Sequence, residues 1–162
     1  MPHGGPVDAD DRSPDDPGIV ARQAWLRCLA HADPARLEAA WNGLDRPPSY
    51  EMLRPPEIGL AMVRGRRGGS GRPFNLGEMT VTRCAVRLAT GRVGIGYVAG
   101  RSPRHAELIA LFDGLLQDEA RQAALQESLI APLAAGQARR RAAAAERTAR
   151  TKVEFFTMVR GD

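Results

Sequence analysis

The stretch that decides the fold runs from Glu78 to Pro103: Glu78-Met-Thr-Val-Thr-Arg-Cys-Ala-Val-Arg-Leu88, then Ala89-Thr-Gly-Arg92, then Val93-Gly-Ile-Gly-Tyr-Val-Ala99, then Gly100-Arg-Ser-Pro103. Thr80, Thr82, Cys84, Val86 and Leu88 alternate with Met79, Val81, Arg83, Ala85 and Arg87. Period two with β-branched residues predicts a strand. Thr90-Gly91 predicts a tight turn and Val93–Ala99 the returning strand of an antiparallel hairpin. Gly94 and Gly96 weaken that strand but let another backbone come close. Ser102 as N-cap and Pro103 at the first helical position then open a helix that buries Ala106, Ile109, Ala110, Phe112 and Leu116.

Upstream, Tyr50–Arg54 reads as a short strand stopped by Pro55-Pro56, and Ile58–Arg64 as another that runs into Arg64-Gly-Arg-Arg-Gly-Gly-Ser-Gly-Arg72. Phe74–Leu76 leads back into the sheet. Before these, Ile19, Val20, Trp25, Leu26 and Leu29 recur at helical steps. Asp33-Pro34 starts a second helix with Leu37, Ala40, Trp41 and Leu44 inward. Downstream, Pro132 is expected to interrupt the chain, with an Ala/Arg-rich helix over Ala134–Thr151. The expected class is α+β: two N-terminal helices, a mainly antiparallel sheet, then C-terminal helices and a docking tail.

Length and composition bound the rest. The chain has 162 residues, 43 % apolar and 26 % charged, values of one soluble globular domain needing no disulfide or metal. No apolar run approaches the roughly 20 residues of a membrane span. The N-terminus lacks the basic and apolar regions of a secretory signal. Residues 1–18 hold five aspartates against Arg12, a net −4 that leaves +8 on residues 19–162. They bury too little to order themselves, so the expectation is a disordered acidic tail (1–18) before a single domain (19–162). Two cysteines support neither a disulfide framework nor a metal site, and the cytoplasm is the expected compartment. At the other end Phe155, Phe156, Met158 and Arg160 predict a segment that docks on the core or on a partner.

Of 23 basic residues 22 are arginine, whose flat fork suits phosphate, phosphonate and carboxylate. Arg64, Arg66, Arg67 and Arg72 sit in a Gly-rich loop, a candidate anion cradle, although its spacing matches neither common phosphate-loop motif. Arg101, Arg104 and His105 surround the strand-to-helix turn, a second candidate seat at a helix N-terminus. Cys28 and His31 share a helix face but have no oxyanion donor or third group beside them. The residues alone yield a soluble, mildly basic α+β domain without a self-contained catalytic set, with two candidate anion seats that also read as a polar hairpin loop and a capped helix start. A free-standing nucleotide- or nucleic-acid-binding domain using loop 64–72 is the alternative. Few aromatics are available for stacking, so nucleic acid is not expected.

Several strings resemble one family. ARQAWLRCLAHADPARL from Ala21, EIGLAMVRGRRGGSGRPFNLGEMTVTRCAVRL from Glu57, GRSPRHAELIALFDGLL from Gly100, SLIAPL from Ser128 and VEFFTMVRGD from Val153 resemble the PhnG subunit of bacterial carbon–phosphorus lyase. That resemblance implies an assembling subunit, with PhnH, PhnI and PhnJ in a core complex. It implies that PhnG, PhnH, PhnI and PhnL support displacement of adenine from ATP by a phosphonate such as methylphosphonate. The product is α-D-ribose 1-methylphosphonate 5-triphosphate. ATP is then a cosubstrate of the complex, and the iron–sulfur cluster and S-adenosylmethionine belong to PhnJ, leaving no cofactor in this chain. No catalytic residue carries over. Arg64, Arg66, Arg67, Arg72, Arg101, Arg104 and His105 are expected contacts for polyanions from their positions alone.

Overall fold

The computed structural model describes residues 15–68 and 70–150. The element order is α1 (Pro17–Ala30), α2 (Pro34–Asn42), β1 (Tyr50–Arg66), β2 (Pro73–Leu88), β3 (Val93–Ala99), α3 (Pro103–Leu116), α4 (Glu119–Leu125), a π-helical turn (Gln126–Ile130) and α5 (Ala131–Arg150). The class is α+β, as the sequence predicts. Asp16 and Asp33 accept N–H bonds at the starts of α1 and α2, each followed by proline at the first helical position. Helix α1 thus begins at Pro17, inside the stretch 1–18 expected to be disordered. Residues 1–14 lie outside the described residues.

The three strands form one antiparallel sheet in the order β1-β2-β3. β2 and β3 meet in the predicted hairpin, where Gly91, at φ 82°, donates to the Leu88 carbonyl at 2.8 Å. Two expected breaks are corrected. Pro55-Pro56 does not end a strand: β1 is a single 17-residue strand. Arg54 pairs with Ala85 and Glu57 with Arg83, so both prolines fall in a bulge on an edge strand, where missing N–H groups cost no ladder bonds. Pro132 does not interrupt the helix either. Ala131 N–H reaches back to the Gln126 carbonyl in the widened π turn, which takes up the carbonyl clash that proline brings to a regular helix.

Helix α3 is the centre of the domain. Eleven of its residues are buried, from His105 to Leu116, because the sheet covers one side and α1, α2 and α4 the other. Trp41 stacks edge-on against Phe112 with ring centroids 6.2 Å apart. The approach to the sheet is set by small residues. A Cβ at Gly94 would fall on the Ala110 carbonyl oxygen, and one at Gly96 on the Ala106 carbonyl oxygen. Ala106, Ala110 and Gly114, four residues apart, are the matching stripe on α3.

A methyl group at Gly96 therefore meets backbone rather than a movable side chain. Gly96→Ala is expected to destabilise the domain by about 3 kcal/mol or more, at or above the usual overpacking range. Gly59→Ala, where an added Cβ meets nothing within 4 Å, should be near neutral. Urea unfolding of the two variants checks the contrast; equal midpoints would refute the close approach.

Candidate functional site

The strand-to-helix turn was expected to gather three groups, and it presents one. Gly100, at φ 87°, donates its N–H to the Thr80 carbonyl at 2.8 Å. The buried Thr82 hydroxyl donates to the Gly100 carbonyl (2.7 Å) and accepts from Ser102 N–H (3.0 Å). Ser102 is the N-cap residue, but its side chain makes no capping bond. Arg101 is exposed and has no ion pair among the described residues.

Arg104 is already engaged: its fork grips Glu38 at 2.8 and 2.9 Å, and Nη1 lies 2.9 Å from Glu107. Glu107 also accepts from the Tyr50 hydroxyl at 2.7 Å. Accordingly Arg104 holds the Glu38 carboxyl below its ordinary value, Glu38 chiefly raises Arg104, and Glu107 raises Tyr50. His105 turns inward, is buried, and places Nε2 3.0 Å from the Leu29 carbonyl. A carbonyl only accepts, so that nitrogen carries a proton. Of the three residues, Arg101 alone is open to a ligand.

The second cluster lies elsewhere. Arg64, Arg66, Arg67 and Arg72 surround the tip of the β1–β2 hairpin, where Gly68 adopts φ 61° and Arg66 Nη1 donates to the Gly71 carbonyl at 3.3 Å. Arg66, Arg67, Gly71, Arg72 and Phe74 line an open hollow of about 570 Å³. Thr80 stands beside Gly100, and Pro73 begins the tip. Seven residue steps of strand separate them, about 23 Å at the usual rise. The two arginine groups therefore do not converge within one chain. Phe155, Phe156, Met158 and Arg160 lie outside the described residues.

Two features escaped the sequence reading. A cavity of about 300 Å³ between α1 and α5 is lined by Arg27, His31, Gln137, Arg140, Arg141 and Ala144; it brings together helices more than a hundred residues apart. Cys28 lies nearby, but its thiol is buried, donates to the Ile130 carbonyl at 3.6 Å, and is pushed up in pKa by that burial. His31 instead contacts the Arg27 carbonyl, so the two form no nucleophile–base pair. Burial also pushes the Cys84 thiol up, to about 11, which keeps it un-ionised near neutrality.

The other feature is Asp113, fully buried on α3. Its carboxylate accepts from Arg22 Nε (3.1 Å) and Nη2 (2.7 Å), Trp25 Nε1 (2.9 Å) and the Ile95 backbone N–H (2.9 Å). A buried carboxylate is a natural suspect for acid–base work. Here its oxygens are occupied by donors from α1 and β3, which makes it structural.

A family model described as "Phosphonate metabolism protein PhnG" matches residues 20–161. The chain belongs to the PhnG family. A curated relative from Rhizobium meliloti (strain 1021), named alpha-D-ribose 1-methylphosphonate 5-triphosphate synthase subunit PhnG, is 47 % identical over 154 residues, covering 93 % of this chain and 96 % of that protein. The PhnG match takes in the sheet, every helix from Val20 onward and both arginine groups. No described helix is long and apolar enough to cross a membrane.

Asp113→Ala would leave Trp25 Nε1 and Ile95 N–H without their acceptor and the half-buried Arg22 with only the Val93 carbonyl. We expect a loss of about 3 kcal/mol, the low end for breaking a buried pair because Arg22 keeps some access to water. Urea unfolding measures it, and an unchanged midpoint would show that the carboxylate does not hold α1 to the sheet.

Proposed function

We propose that this chain is the PhnG subunit of an α-D-ribose 1-methylphosphonate 5-triphosphate synthase, serving organic phosphonate breakdown. The observation that carries this is the match to the Rhizobium meliloti subunit across nearly the whole of both chains. The reaction joins a phosphonate oxygen to C1′ of ATP while the C1′–N9 bond breaks and adenine leaves. Its partners are PhnH, PhnI and PhnJ in the core complex, with PhnL, and its compartment is the cytoplasm. Radical C–P cleavage with an iron–sulfur cluster and S-adenosylmethionine falls to PhnJ, so this chain needs no cofactor of its own.

The chemistry of the described residues supports a contributing role over independent catalysis. Every buried side-chain nitrogen and oxygen among them has a hydrogen-bond partner. The buried groups that could carry chemistry, Asp113, His105, Thr82 and the two thiols, are bound internally or held un-ionised. Exposed arginines without an ion pair among the described residues, Arg101 and the tip group, suit ATP, phosphonate and the triphosphate product, all polyanions. The free-standing nucleotide- or nucleic-acid-binding alternative draws no support from the family match.

Arg101 is the substrate contact we propose at the strand-to-helix turn; Arg64, Arg66, Arg67 and Arg72 form a separate anion-facing group at the hairpin tip, open to carboxylates as well as to phosphates. In the assembled complex, Arg101→Ala should lower methylphosphonate-dependent adenine release by about 10- to 100-fold, the scale of one charged hydrogen bond, without dissociating the subunits. Chromatographic assay of adenine, with size exclusion to verify assembly, reads both. Full turnover would remove Arg101 from the reaction.

A further inference from the structure

The sheet is longer than its cover. β3 pairs with β2 only from Val81 to Arg87, and α3 begins at Pro103, beside Thr80 and Thr82. Beyond that level β1 and β2 continue alone, from Gly59 to Arg66 and from Pro73 to Thr80. Two strands of eight residues make an arm about 25 Å long. A two-stranded ribbon is at best marginally stable in water without a packed face.

Its face is apolar. Residues directly opposite in an antiparallel pair share a side of the sheet. Ile58 faces the buried Thr82 and Leu60 faces Thr80, so Ile58, Leu60 and Met62 continue the side that α3 covers further back. Here nothing among the described residues covers them: Leu60 is 65 % exposed, and Ile58 and Met62 about half. Leu76, 66 % exposed, and Phe74 extend the apolar surface to the tip, folded over Gly65. No acidic residue occurs between Ile58 and Leu76, whereas Arg64, Arg66, Arg67 and Arg72 all do.

We propose that this arm is the docking element of the chain. Its occupant is a different polypeptide, a partner subunit with an apolar groove for Leu60 and Leu76 and acidic residues around the tip. Charge decides against a second copy of this chain. The tip carries four cations, and with them set aside the rest of the chain sums to zero, so a second copy offers the tip no excess of negative charge to dock on. An apolar shaft under a charged end also matches the usual interface, with a dry centre and a polar rim. The inference rests on the subunit reading above.

The test co-expresses the full-length chain with its proposed partner subunits and measures assembly by size exclusion. Leu60→Glu/Leu76→Glu and Arg67→Glu/Arg72→Glu, all at exposed positions, should leave the melting temperature of the isolated chain unchanged. Each should weaken assembly by about tenfold or more, as loss of an interface anchor does. Hydrogen exchange on the wild-type assembly should show amides of 59–66 and 73–80 more protected than in the free chain. If wild type fails to assemble, the subunit reading fails and the arm proposal with it. If wild type assembles and both variants assemble equally well, or the arm gains no protection, only the arm proposal is overturned. A homodimer of the isolated chain that Leu60→Glu/Leu76→Glu abolishes would also overturn it.

Discussion

Helix α3 can lie against the sheet only because the contact is backbone against backbone, and the Asp113 carboxylate makes that contact permanent. Gly94 and Gly96 remove the side chains that would hold the helix away. Asp113 then reaches past them to the Ile95 N–H on the outer edge of β3. The Val93 carbonyl on the same edge accepts from Gln117 at 2.9 Å, so side chains close an edge that another strand would otherwise pair with. Through Arg22 and Trp25 the same carboxylate fixes α1. One short polar side chain thus ties three elements together at the point where the apolar core admits no larger group.

A domain organised this way spends its buried polar groups on architecture. His105 bonds to α1, Thr82 braces the turn before α3, and both thiols are kept neutral by burial. Free positive charge lies at the periphery, on Arg101, at the ribbon tip and around the α1–α5 cavity. These positions lie too far apart for one small substrate to engage all of them within a single chain. Such a distribution suits a protein that completes sites and surfaces in company, which agrees with the subunit naming of its relative.

Much of the fold was legible because its signals are local. Asp33-Pro34 and Ser102-Pro103 each mark a helix start, and the alternation from Thr80 to Leu88 with Thr90-Gly91 specifies the hairpin; Asp16-Pro17 is the same signal, hidden in a stretch rich in Pro, Gly and Asp. Pro55-Pro56 and Pro132 misled for one reason. Proline forbids a regular ladder, yet a bulge on an edge strand or a π turn absorbs it, and neither device is written in the neighbouring residues. The candidate site was less legible. Arg104 and His105 look alike in sequence to Arg101, but Glu38 and the Leu29 carbonyl, more than sixty residues away, take them out of play. Asp113 was passed over among apolar neighbours because its partners lie on α1 and β3. Residues 1–14, with the acidic tail, and the C-terminal phenylalanines stay outside the described residues.

The most direct test of the account is to reconstitute the synthase from its partner subunits with and without this chain. Adenine release from ATP and methylphosphonate is then followed. This chain alone should release no adenine, the partners alone none, and turnover should return as the chain is added back to stoichiometry. Full turnover by the partners without it, or adenine release by the isolated chain, would contradict the account.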